Sequence, residues 1–203
     1  INALPVSLGP ITEDINAPAT SVATALVLYS LFVAAFVMLG AKIGKMFGER
    51  LVFQISALVH GGAMALMAVS VSAEMMNTAQ AVAGVAAAAL VPTLVVLIAA
   101  NYRERQQEQA LGILASIPAV ASGLTFLVAG FIATALNWRV SFGLIFFLSI
   151  AVFLLSFRLK PIPRSQGIRI DFVGVVLSAL AIACILFGFN NLNTCLLYTS
   201  DAA

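Results

Sequence analysis

The chain has 203 residues, 62% of them apolar and only 9% charged, with a formal net charge of +2 and a mean hydropathy of +1.10. Soluble globular domains carry about a quarter charged residues, so the composition excludes an aqueous enzyme or binding module and places the chain in a bilayer. The small net charge gives no ground for a nucleic-acid partner, because the cations have a better explanation in membrane topology.

Windows free of Asp, Glu, Lys and Arg cover 15–41, 51–73, 75–102, 109–138, 140–157 and 172–200. About 20 apolar residues carry a helix across the hydrocarbon core, so all six are spanning candidates. Runs such as AVAGVAAAALVPTLVVLIAA are apolar all round and lack the period-2 alternation of a membrane barrel, so the spans are helices. The windows repeat and none carries a short apolar core followed by a cleavage site, which argues against a signal peptide.

In chain order, INALPVSLGPI reads as the last turns of a spanning helix, so the chain is expected to begin inside its first helix, at 1–11. Complete helices are expected at 20–41, 51–71, 78–100, 109–135, 139–157 and 172–190. Between the second and third helices lies MLGAKIGKMFGER, a basic hairpin in which Gly40, Gly44 and Gly48 allow a tight turn and close helix approach. Lys45, just past a helix carboxyl end, complements the helix dipole by about 0.3–1 kcal/mol. The fourth and fifth helices contain Pro92 and Pro118, each of which removes a backbone donor and can bend its helix. Prolines are also simply commoner in membrane helices than in soluble ones. RLKPIPRSQGIRID, 158–171, is a linker and the best boundary between a bundle at 1–157 and a seventh helix at 172–194. The tail CLLYTSDAA, 195–203, reads as non-native sequence.

Nine of the ten cations fall in three loops, at Lys42, Lys45 and Arg50, at Arg103 and Arg105, and at Arg158, Lys160, Arg164 and Arg169. The alternate connections hold Glu13, Asp14, Glu74 and the single cation Arg139. The positive-inside rule therefore puts the basic loops in the cytoplasm.

Taken in order, these features resemble the major facilitator superfamily, and within it the fourteen-helix drug:proton antiporter branch. INALP with GPITEDI is similar to the exit of that family's first helix, and LVLYSLFVAAF, with Tyr29, to its second. AKIGKMFGERLVF stands where the family has its GxLxDRxGRR loop, and AVAGVAAAALVP, with Gly84 and Pro92, where it has QGxGAAxxxP. EQALGILASIPAV resembles the RGRALG opening of the fifth helix, NWRVSF the WRWIF that starts the sixth, and DFVGVVLSALAIA the start of the extra helix of fourteen-helix members. The likeness covers nearly all of 1–194. It implies an all-α polytopic membrane protein: a six-helix amino-terminal bundle plus one linker helix, truncated, whose carboxy-terminal bundle is a missing partner of the same chain.

The departures fall on the motifs themselves. In the loop, Lys45 occupies the place of the family's acid, Met46 that of its Arg, and Glu49 and Arg50 the closing basic pair. In the fourth helix Ala83 stands at the motif's Gln, and Gln80 at an Arg that the family implies in proton movement. The fifth-helix GPxxGG pattern reads Thr125, Phe126, Leu127, Val128, Ala129 and Gly130, so only its last glycine is kept. By resemblance, Gly40, Lys45, Gly48 and Arg50 form a gating loop, and Gly84, Pro92, Pro118 and Gly130 serve bending and packing.

A proton-coupled carrier needs an ionisable group in the membrane, where such groups are costly and functional by default. The six windows hold no acid or strong base, which leaves His60 as the proton-carrier candidate. Its plainer reading is a polar side chain bonded to a neighbouring helix or lying near the lipid boundary. Asn2, Tyr29 and Gln80 are uncharged polar positions that need partners in lipid. The resemblance turns the first and fourth helices toward the central cavity and makes all three substrate-facing candidates. A single His without a membrane acid cannot form a nucleophile triad. GAKIGKMFG lacks the GK[ST] ending of a phosphate loop, and Cys184 and Cys195 have neither metal nor disulfide spacing. No catalytic residue, metal or cofactor is expected.

The expectation is a secondary transporter in a bacterial inner membrane, exporting small amphiphilic organic compounds or drugs by alternating access in exchange for protons. A carrier not driven by protons, or a receptor-like or degenerate relative that does not transport, remain the alternatives.

Overall fold

A computed structural model describes residues 3–162, 173–182 and 184–185. The helices are α1 (Ala3–Val6), α2 (Leu8–Asp14), α3 (Ala19–Phe47), α4 (Glu49–Ala68), α5 (Ala73–Asn101), α6 (Glu104–Ala135) and α7 (Trp138–Ser156), followed by a short apolar helix at Val173–Ile182. Among the described residues there is no strand. Five helices, α3 to α7, are long and apolar enough to cross a membrane. Asn2, most of the expected linker, the remainder of the expected seventh helix and the tail 195–203 lie outside the described residues.

Several boundaries differ from the sequence reading: the expected first helix is two short helices, α1 and α2, and α5 and α6 start at Ala73 and Glu104 rather than 78 and 109. The loop expected between 41 and 51 is helix on both sides of a one-residue link, because α3 runs to Phe47 and α4 starts at Glu49. The charges that looked like loop signals instead suit helix ends. Lys45 lies in the last turn of α3 and Glu49 in the first turn of α4, and each complements the dipole at its terminus. The reversal is carried by Gly48, with φ 104° and ψ 124°, a conformation open to glycine and strained by about 1–3 kcal/mol for other residues. At 29 residues, α3 spans about 44 Å, longer than the ~30 Å core. That length leaves room for the last turns, with Lys42 and Lys45, to stand outside the hydrocarbon.

Small residues set the packing of α3 on α5. A Cβ on Gly40 would lie 2.6 Å from the Ala88 carbonyl oxygen, and one on Gly84 would lie 2.6 Å from that of Tyr29. Each helix thus places a glycine against the other's backbone, the close approach that small residues allow in lipid. Pro92 has no N–H for the carbonyl four residues earlier, which is that of Ala88, the group Gly40 rests on. Helix α5 continues through Pro92 and α6 through Pro118.

The buried core gathers at the end of the bundle away from Gly48. It contains Leu4, Ile11, Val22, Met67, Met76 and Trp138, all nearly inaccessible. Helix α4 lies between α5 and α7, and α6 touches α1 and α7 lightly. Of the described side chains of α6 only Ala129 is buried; next to it, a Cβ on Gly130 would come 3.1 Å from Val6.

Candidate functional site

Three of the polar positions singled out from sequence meet around one small, partly open cavity. Its volume is about 40 Å³, and it is lined by Tyr29 from α3, His60 from α4 and Gln80 from α5, together with Leu4, Met64 and Phe142. Gln80 is 5% exposed and Tyr29 9%. At this volume the cavity admits one or two water molecules. Asn2 lies outside the described residues, and its neighbour Ala3 is part of the same lining.

His60 makes the interhelical bond that its plainer reading expects. Its Nδ1 lies 3.4 Å from Ser149 Oγ on α7, and that hydroxyl donates to the Ile145 carbonyl at 2.9 Å. A hydroxyl has one hydrogen, so the serine must accept from His60 Nδ1–H, leaving Nε2 of the neutral ring as an acceptor. Gly61 makes room for this contact, since a Cβ there would come 3.1 Å from that of Ser149. The ring is thus anchored on α7 while it lines the cavity with Tyr29 and Gln80.

The residues of the loop motif separate into different jobs. Gly40 serves helix packing, Gly48 makes the turn, and Lys45 is exposed. Arg50 ties the start of α4 to the end of α7, donating from Nη2 to the Phe157 carbonyl at 2.9 Å and lying 5.9 Å from the Phe157 ring centroid. Glu49, which stands at one of the motif's closing basic positions, is 4% exposed, with neither carboxylate oxygen hydrogen-bonded. It tucks beneath Gly44, where a Cβ would collide with Oε2.

A second polar cluster closes the opposite end. Arg139 pairs with Asp14, donates to the Ser70 carbonyl at 2.7 Å and lies 4.5 Å from the Trp138 ring centroid. Trp138 Nε1 also donates to Asp14 Oδ2 at 3.1 Å. The cluster joins the end of α2, the α4–α5 turn and the start of α7. Opposite charges on same-side connections were the available sequence signal, but pairing across 125 positions is set by tertiary packing. The hydrogen bond from Arg139, with further help from Trp138, holds the Asp14 carboxyl below its ordinary value despite some opposing desolvation. A depressed carboxyl stabilises the fold above its ordinary pKa and loses that contribution as pH falls through the folded value. Arg139→Ala is therefore expected to lower the unfolding midpoint at pH 6, by an amount equivalent to about 0.2–1 kcal/mol, the scale of a solvent-screened ion pair. The gap from wild type should narrow below about pH 4. A gap unchanged at pH 3 would show that the Asp14 charge is not its source.

The sequence profile of the Major Facilitator Superfamily matches residues 1–190. The chain is 27% identical over 188 residues to the puromycin resistance protein pur8 of Streptomyces alboniger, covering 91% of this chain and 37% of that protein. It is 23% identical over 155 residues to a methylenomycin A resistance protein of Bacillus subtilis (strain 168), covering 76% and 33% respectively. Over 188 residues it is 25% identical to the methylenomycin A resistance protein of Streptomyces coelicolor, covering 92% and 40%. The chain thus spans between a third and two fifths of the length of these relatives. Together with the five apolar spanning helices, the profile match shows that this integral membrane chain belongs to the major facilitator superfamily.

Proposed function

We propose that this chain forms the amino-terminal part of an exporter of small amphiphilic organic compounds, working by alternating access in exchange for protons in a bacterial inner membrane. The observation that carries this reading is the convergence of Tyr29, His60 and Gln80 on one small cavity in a largely apolar bundle. Polar groups are expensive at such depth and mark substrate or ion paths. His60 supplies a titratable ring with a free acceptor nitrogen, Gln80 and Tyr29 supply neutral hydrogen-bonding groups, and the apolar walls suit an amphiphile. Resistance relatives named for puromycin and methylenomycin A make those two compounds the first substrates to test. The three basic loops face the cytoplasm in this reading, and a carboxy-terminal bundle supplies the other wall of the cavity.

A carrier that is not proton-driven is the second reading, favoured by the lack of Asp and Glu in the six apolar windows and by a cation at Lys45. Drug efflux from cells expressing the full-length protein separates the two. Export against a gradient that stops on adding a protonophore supports antiport, and unchanged downhill flux supports the facilitator. His60→Asn retains a donor near the Nδ1 position for Ser149 but cannot carry a proton near neutral pH. It is expected to lose uphill export while keeping drug binding. Wild-type, protonophore-sensitive export by this variant would remove His60 from the proton path.

A further inference from the structure

The half of the bundle nearest Gly48 carries an open apolar groove on its surface. Between α3 and α4, over the surface of α5, runs an apolar groove of about 330 Å³ whose walls include Phe36, Ile43, Phe47, Leu51, Ile55 and Val59. It adjoins a more polar cleft of about 170 Å³ lined by Arg50, Gln54 and Pro161, and the two share Phe47 and Leu51 as walls. From Leu51 to Val59 the helix rises about 12 Å, close to the ~15 Å depth of one leaflet's hydrocarbon. The groove therefore starts at the basic hairpin and reaches about as deep as a single acyl chain.

The cleft has unused donors. Arg50 spends one Nη2–H on the Phe157 carbonyl, and a guanidinium has five N–H groups. Gln54 Nε2 is fully buried with no hydrogen-bond partner, a costly state that an acceptor oxygen would relieve. The residues lining the cleft include a cation and no acid, so an anionic oxygen is matched there and an ammonium is not.

We propose that this composite pocket binds one acidic phospholipid of the surrounding leaflet. Its phosphate lies on Arg50 and Gln54, and one acyl chain passes over Phe47 and Leu51 into the groove. The lipid then packs α4 against α3 where protein contacts between them are sparse, and joins that contact to the Arg50 link with α7. Arginine suits the phosphate because its fork can give two parallel charge-assisted bonds.

The test uses full-length protein in phosphatidylcholine nanodiscs containing phosphatidylglycerol with a photoactivatable acyl chain. Labelling is expected to concentrate within 36–59 and to fall about tenfold in Arg50→Gln/Gln54→Leu, the loss that one charge-assisted hydrogen bond represents. Val59→Trp, far from the donors, should block labelling by filling the groove while Arg50 stays intact. Photoactivatable phosphatidylcholine serves as the comparison. Equal labelling by both lipids, label spread evenly over all exposed spans, no label in the groove, or full labelling of both variants would each overturn the proposal.

Discussion

Gly84→Leu is expected to leave little or no folded protein, because the obstruction begins at the first carbon added. A Cβ at position 84 would lie 2.6 Å from the Tyr29 carbonyl oxygen and 3.0 Å from Phe32 Cβ. Backbone cannot rotate away as a long side chain can, so α5 must withdraw from α3. Overpacking of this kind costs about 1–3 kcal/mol even for modest additions, and leucine adds more than the seam can absorb. The neighbouring polar cavity would also open, since Tyr29 is both the obstructed residue and part of its lining. Gly62 is the control: it is exposed, nothing lies within 4 Å of a Cβ there, and Gly62→Leu should give a wild-type yield and unfolding midpoint in detergent. Equal behaviour of the two variants would mean that α3 and α5 do not approach as described.

Lys45→Asp should have the second largest effect, through the charge it removes from beside Glu49. In the family's loop motif the acid comes first and the base four residues later; here Lys45 and Glu49 hold the reverse order. Glu49 is buried beneath Gly44 without a hydrogen-bond donor, and the nearby Lys45 cation attracts its carboxylate. An acid at 45 replaces that attraction with repulsion. Lys45→Asp is expected to lower stability and shift the balance of inward-open and outward-open states in the full-length protein. Lys45→Asp/Glu49→Lys should recover most of the loss, with a coupling of about 0.5–3 kcal/mol between the positions. Additive single effects, or unchanged accessibility of cysteines placed in the cavity, would count against the exchanged pair.

These two cases show where the sequence was informative. Helical class, family and the five described spans were legible because each relies on local composition: charge-free windows of spanning length, and motif remnants in order. The polar candidates Tyr29, His60 and Gln80 were legible as exceptions within apolar windows, but not their meeting, which depends on the crossing of α3, α4 and α5. Glu49 looked like an ordinary loop charge, since the space it occupies comes from a side chain absent at Gly44. Asp14 and Arg139 likewise looked like solvated connections, and Ser149 carried no signal beyond being a serine in an apolar helix. The misplaced ends at 41 and 51 have the same origin: a charge near a membrane surface suits a helix terminus as well as a loop.

Drug flux into everted vesicles containing the full-length protein tests most directly whether the cavity of Tyr29, His60 and Gln80 serves transport. Wild-type vesicles are expected to accumulate drug while a proton gradient is held and to release it when the gradient is collapsed. Gln80→Leu, which removes one polar wall without adding bulk, should reduce accumulation about tenfold, as expected for losing one buried hydrogen-bonding group, while the protein stays folded. Accumulation by folded Gln80→Leu at the wild-type rate, or none by wild type for any amphiphilic drug offered, would contradict the account.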